Sequence, residues 1–250
     1  MIPGKTILLI ALFAIINSLS AQDFKETQMQ NGRVLKAYEE KEVIMKAVLE
    51  TNDLDLLSLQ IFIRAFKHEN LMEVWGRDSL HEQFVLLKEY RICRISGEAG
   101  PKRKQGDRQI PEGCYHIDRF NPWSQFHLSM GINYPNESDR VLSDKRHPGG
   151  EIFIHGSCVT IGCLPMTDDR IKEIYILAVE ATNNGQQNIP VHIFPCKMSG
   201  DYYAGLKEKL AEDQNMIDFW NNLEEAYLYF EMNNVLPAFT VDKEGRYCFL

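Results

Sequence analysis

Beyond its first 22 residues the chain has no apolar run long enough to cross a bilayer as a helix. Positive charge is not in excess either: 27 lysines and arginines stand against 35 aspartates and glutamates, a formal net charge of −8. That balance, with one short basic run, argues against the broad cationic face of a nucleic-acid binder. Close C-x2-C and H-x3-H pairs, the usual ligands of structural zinc, are missing. There is no internal repeat and no low-complexity segment, which excludes a repeat array and a disordered chain. What remains is ordinary globular sequence: 250 residues, 44% hydrophobic and 25% charged, enough to bury a full core.

The first residues, MIPGKTILLIALFAIINSLSAQ, have a different composition. Lys5 precedes an apolar stretch from Ile7 to Ile16, and Ser18, Ser20 and Ala21 follow. This is the pattern of a secretory signal over residues 1–21, with an uncleaved anchor as the alternative. No cysteine follows at the cleavage region, so a lipid anchor is not expected. The mature chain is expected to carry no integral membrane segment and to work in an exported, periplasmic compartment. Six cysteines in such a compartment suggest bridges. Cys93 with Cys114, and Cys196 with Cys248, are conceivable pairs because each sits in strand-like sequence.

Within 22–57 the stretch RVLKAYEEKEVIMKAVLETNDL repeats apolar positions Val34, Tyr38, Ile44 and Val48 at helical spacing, without internal glycine or proline. A helical segment is expected there, covering the domain behind it. At Leu59 the period changes to two: LQIFIRAF, LMEVW and FVLLKEYRICRI read as an antiparallel meander. CYHIDRF, FHLSM, EIFI and PVHIF read as further strands. TDDRIKEIYILAVEATNNG reads as a helix capped near Thr167 or Asp168. An amphipathic helix and a last hairpin, FTVDKEGRYCFL, make a tail over 197–250. The expected fold class is α+β with a mostly antiparallel core over 58–196. Two irregular segments interrupt the strands. The first, SGEAGPKRKQGDRQIPEGCYHI, carries Lys102, Arg103, Lys104 and Arg108, and reads either as a solvated hairpin tip or as the wall of a groove that attracts carboxylates. The second is GINYPNESDRVLSDKRHPGG; Asn133 and Tyr134 in it read as a turn.

The stretch EIFIHGSCVTIGCLPMTDD, residues 151–169, concentrates the reactive groups. His155, Cys158 and Cys163 follow an H-x2-C-x4-C spacing that admits a metal site, a Cys158–Cys163 bridge, or a nucleophile with its base. A histidine and cysteines that merely fill the core are the plain structural alternative. Nucleophilic chemistry uses more of the residues. Cys163 lies just ahead of a helix start, whose partial positive charge favours a thiolate. His155 ends a buried strand and serves as base if the chain folds back to it. Gly162 allows a backbone that aims its own N–H and that of Cys163 at an oxyanion, and Gly156 lets neighbouring backbone approach. Cys158 is then a bystander. His116, His127 and His147 are assigned no chemical role.

The blocks IHG and T-I-G-C-L-P-M, with GPKRKQGDRQIPEGCYHI and GINYPN in order upstream, resemble the L,D-transpeptidase (YkuD) superfamily, and within it the YafK-like branch. The resemblance spans about Leu59 to Cys196. It implies a YkuD-like catalytic domain with flanking helices, acting on peptidoglycan stem peptides without metal or other cofactor. Cys163 would form a thioester, with His155 as its base. Lys102, Gln105, Asp107, Arg108, Gly156 and Thr160 are carried as substrate-contact candidates. Ile161 stands where many members have a second histidine, and Pro165 where many have arginine or asparagine, so acceptor recognition stays open. Three activities are compatible: cross-linking transfer, hydrolysis of a link between peptidoglycan and a wall-anchored lipoprotein, and non-catalytic peptidoglycan binding.

Overall fold

The computed structural model describes residues 24–250. The signal segment expected at 1–21 lies outside the described residues. A short helical stretch at 24–29 leads into α1, Gly32–Thr51. The Asn31 side chain accepts the N–H of Arg33 and so starts α1 as its N-cap. The single helix expected over 22–57 is therefore broken at Asn31 and ends at Thr51. Its buried stripe is also rotated, running through Val34, Tyr38, Lys41, Met45 and Leu49, while Ile44 is exposed. Lys41 can occupy that stripe because its ammonium meets Asp169 at 2.6 Å and Glu173 at 3.4 Å.

Among the described residues one eight-stranded sheet forms the centre, in the order β3-β2-β1-β8-β4-β5-β6-β7. Its strands are β1 Gln60–Phe66, β2 Leu71–Arg77, β3 Val85–Arg91, β4 Gly113–Asn121, β5 Ser129–Ile132, β6 Phe153–His155, β7 Leu164–Pro165 and β8 Pro190–Phe194. The pairings are antiparallel except for β1–β8 and β6–β7, so the α+β, mostly antiparallel reading holds. Helix α2, Glu137–Leu142, follows β5, and α3, Asp168–Asn183, follows β7. α4, Gly200–Lys209, and α5, Gln214–Asn233, precede a separate two-stranded hairpin of β9, Phe239–Val241, and β10, Tyr247–Phe249.

Alternation along β1 explains the layering. Ile61, Ile63 and Ala65 join the core beneath α1 and α3. Phe66 joins a second core with Phe194 and Cys114, closed by Trp220, Leu223 and Tyr227 of α5. The strand is buried on both faces because the tail helix covers the second one. Residues 197–250 thus complete the sheet's packing rather than hang from it. Trp220 also reaches a buried polar knot: its Nε1 donates to Glu112 at 2.8 Å, and Glu112 accepts Lys67 Nζ at 2.7 Å.

Candidate active site

β6 and β7 bring the histidine and the cysteine together. They pair in parallel, Ile154 with Leu164 and His155 with Pro165, and one further step sets Cys163 beside Phe153. Ile154 and Leu164 point into the core and are fully buried. Alternation then puts His155 and Cys163 on the same, opposite face of the pair. Residues 156–162 make this return, a shorter link than the dozen or so residues of an ordinary parallel crossover. The brevity is absorbed by left-handed backbone at Ser157, φ 61°, and Gly162, φ 141°. A Cβ at Gly156 would lie 2.7 Å from Phe126 O and 2.8 Å from Asp168 Oδ1, so only glycine fits there.

His155 is 2% exposed and its ring lies against Phe126, centroids 4.8 Å apart. Its Nδ1 is 2.5 Å from the Gly156 carbonyl oxygen. A carbonyl can only accept, so Nδ1 carries the proton and Nε2 keeps a free lone pair. Burial holds the histidine below its ordinary pKa, with the Gly156 bond pulling partly back. The resting imidazole is neutral and able to take a proton.

Cys163 does not behave as the helix-start argument anticipates. Burial pushes its thiol pKa up, and the Phe153 backbone and Lys102 only partly oppose this. The start of α3 supplies little net field because its own first turn carries Asp168 and Asp169. Asp168 Oδ1 also accepts the Ser157 N–H at 2.7 Å. The resting pair is therefore thiol and imidazole, with Sγ 3.6 Å from the Glu151 carbonyl oxygen. Iodoacetamide alkylation of Cys163, followed by peptide mass spectrometry, should rise with pH through a midpoint above the value near 8.5 of an ordinary thiol. A midpoint below it would reverse this assignment.

Thr160 fills the position the sequence leaves for an oxyanion. Its Oγ1 accepts the N–H of Gly162 at 3.1 Å and of Cys163 at 2.8 Å, and its hydroxyl donates to the Cys163 carbonyl at 2.7 Å. The two donors expected to hold an oxyanion are already engaged, so that role requires the Thr160 side chain to turn away.

A groove of about 680 Å³ opens onto Cys163 and Gly162. Lys102, Gln105 and Arg108 line one side, Arg146 and Glu151 the other. Gln105 N donates to His147 O at 2.8 Å, joining the two irregular segments as one wall. Tyr134 braces the same wall, donating to Pro148 O at 3.0 Å. Arg108 and Arg146 make no side-chain ion pair or hydrogen bond among the described residues, which leaves two free cations at the groove. Arg146 goes unmarked in the sequence, and His147, assigned no chemical role there, lines the groove beside it; the only cue was the basic cluster DKRH in an irregular stretch. The structure sets Asp107 apart from the groove. It accepts Lys102 Nζ at 2.6 Å and the N–H groups of Arg103, Lys104 and Gln109. Burial would raise its pKa, but these partners outweigh burial and hold it below the usual carboxylate range. It knots the loop that presents its neighbours. Gly156 and Thr160 likewise shape the backbone and do not line the groove.

The cysteines pair differently from every expectation. Cys93 and Cys158 form a disulfide with Cα atoms 5.7 Å apart. Cys114 and Cys196 are buried free thiols, and Cys248 is an exposed one. The Cys93–Cys114 and Cys196–Cys248 pairs that the sequence admits do not form, nor does a Cys158–Cys163 bridge, because strand-like sequence says nothing about which strand ends meet. The Cys93–Cys158 bond also removes Cys158 from the H-x2-C-x4-C ligand pattern, and it makes Cys158 more than a bystander.

The family model of the L,D-transpeptidase catalytic domain, YkuD, matches residues 61–193. YafK of Escherichia coli (strain K12), whose name carries L,D-transpeptidase as a provisional activity, is 36% identical over 194 residues, 77% of this chain and 74% of its own. Among solved structures, the helical cell shape determining protein Pgp2 of Campylobacter jejuni (K307A mutant) aligns at 19% identity over 75% of this chain and 66% of its own, TM-score 0.44. Bd1075 of Bdellovibrio bacteriovorus aligns at 22% identity over 68% and 62%, TM-score 0.39. On the matched domain and the extent of identity to YafK, this chain belongs to the L,D-transpeptidase (YkuD) catalytic-domain family.

Proposed function

We propose that the chain is an exported cysteine acyltransferase that acts on peptidoglycan stem peptides. The observation that carries this reading is the placement of His155 and Cys163 on one face of the β6–β7 pair, the histidine buried behind and Cys163 lining a groove edged by Arg108 and Arg146. His155 Nε2 takes the Cys163 proton as Sγ attacks the carbonyl on the L-centre of the stem's diamino acid. The C–N bond breaks, the histidine proton passes to the leaving amine, and a thioester remains on Cys163. Displacement of Thr160 Oγ1 frees the Gly162 and Cys163 N–H groups for the tetrahedral oxyanion; one such donor typically contributes roughly 3 kcal/mol. The raised thiol pKa makes the base indispensable, since attack must begin with proton transfer rather than from a standing thiolate.

A second amine that takes the acyl group gives a cross-link or a protein–peptidoglycan link, and water gives hydrolysis. Similarity to YafK, the exposed groove and the apolar amino-terminal segment support action on the cell wall outside the membrane. Among the described residues no helix is long and apolar enough to cross a membrane. Incubation with purified sacculi, followed by muropeptide mass spectrometry, tests the reading. New cross-linked muropeptides identify the transferase. Free stems, or peptidoglycan released from a bound lipoprotein without new links, identify the hydrolase. No change in either product against a Cys163→Ala control would leave a binding module instead.

A further inference from the structure

The connection that joins base to nucleophile is fastened at both ends and bare in the middle. At its start, Gly156 N donates to Leu128 O at 3.0 Å, and Ser157 is held through its N–H to Asp168 and its carbonyl to Thr167 N. At its end, Thr160 knots Gly162 and Cys163. Between them, Cys158 and Val159 make no hydrogen bond among the described residues, and Val159 and Ile161 are exposed apolar side chains. The one restraint there is the bond from Cys158 to Cys93. Its far end is well placed to act as an anchor. Cys93 follows β3, and its N–H donates at 2.9 Å to the carbonyl of Pro165, two residues past Cys163. Its Sγ also lies 3.9 Å from the Ser157 carbonyl oxygen. One residue thus touches both limbs of the β6–β7 return. Ser157 itself holds a left-handed conformation, φ 61°, which persists in a non-glycine residue only where its surroundings enforce it.

We propose that the Cys93–Cys158 disulfide positions the thiol site, so that acyl transfer at Cys163 depends on this bridge being oxidised. The proposal rests on His155 and Cys163 as the working pair. The bond is open to chemistry, because Cys93 is half-buried and Cys158 is exposed. A dithiol reductant would deliver two electrons and two protons, leaving two thiols on the protein and a disulfide on the reductant. The 156–162 connection would then lose its central restraint. Cys163 and the Gly162 and Cys163 N–H groups, now set by the Thr160 knot at the end of that connection, would no longer keep a fixed position relative to His155, while the sheet and its core would be untouched. The exported compartment expected from the amino-terminal segment is one in which such a bond persists.

Peptide mapping of the full chain, alkylated before digestion and kept non-reducing, should recover a peptide linked through Cys93 and Cys158. The double variant Cys93→Ala/Cys158→Ala keeps Cys163 and avoids a stray thiol beside it. Amide hydrogen exchange over 156–162 should rise at least tenfold in the variant, with the exchange of β1, β4 and β8 unchanged. Acylation of Cys163 by a carbapenem, read by intact mass, should slow at least tenfold. With a stem peptide as donor the loss should fall on kcat, with KM within about twofold. Dithiothreitol should reproduce these changes in the parent chain and do nothing further to the variant. Absence of the linked peptide, or wild-type exchange in the variant, would overturn the tether. Unchanged acyl transfer in a Cys163→Ala chain would overturn the working pair instead, whatever the exchange shows.

Discussion

Replacing Cys163 by alanine should abolish processing of sacculi, a loss on the order of 10⁴-fold or more, the scale seen when a covalent nucleophile is removed. No other thiol can substitute. Cys158 is tied to Cys93, and Cys114 is buried with its thiol pushed far above the ordinary range. Burial likewise pushes the Cys196 thiol up to about 12, with Glu69 and Glu112 adding to it, and Cys248 sits on the terminal hairpin away from the groove. Serine at 163 should fail nearly as badly. Its hydroxyl is harder to deprotonate than a thiol, and a neutral imidazole already depressed by burial is a weak base for it. Because Cys163 is small and only partly buried, both variants should unfold at close to the parent temperature. Circular dichroism melts beside the muropeptide assay would separate lost chemistry from lost fold.

The largest effect on stability is expected from Glu112→Ala. This carboxylate is fully buried and accepts Lys67 Nζ at 2.7 Å, the Gly100 N–H at 2.8 Å and Trp220 Nε1 at 2.8 Å. Lys67 Nζ also donates to the carbonyls of Gly100 and Ile110, at 2.7 and 3.3 Å. Truncating the acid leaves an ammonium buried beside carbonyls alone, at a cost of roughly 3–5 kcal/mol. For a domain of this size that is a fall in Tm of about 6–20 °C, measurable by calorimetry or urea unfolding. The double change Lys67→Met/Glu112→Gln should recover much of it by removing the orphaned charge as well. A single variant that melts within a degree or two of the parent would show that the ion pair contributes nothing net. The same knot ties α5 to both ends of the 100–112 segment, so the tail helix supports the groove wall that carries Lys102 and Arg108.

Much of this arrangement was legible in the residues. Period-two patterns announced β1, β2 and β3, and the capped, glycine-ended pattern announced α3. The motif around Cys163, with the blocks upstream, pointed to the family that the domain match shows, and it supplied the candidate pair His155 and Cys163. Other parts left no readable trace. β7 is two residues long, too short for any periodicity, yet its pairing with β6 is what sets Cys163 on the same face as His155. α2 falls in a segment that reads as irregular because it is polar. Its cue was a capping box between Asn136 and Asp139, a local signal that hydrophobic patterning passes over. Arg146 reaches the groove only because two irregular segments meet through Gln105 and His147.

The division follows from the range of the forces involved. Periodicity, caps and turn residues act within a few positions, so the chain announces its strands, its helix starts and the candidates His155 and Cys163. Three features depend on distant segments meeting. The Cys93–Cys158 pairing joins residues 65 apart. The thiol pKa rises because burial outweighs the Phe153 backbone and Lys102, which oppose it. The oxyanion donors rest on Thr160 because the short β6–β7 return folds its hydroxyl onto them. Desolvation and covalent pairing are properties of what surrounds a residue in space, and that is set only once the sheet has closed.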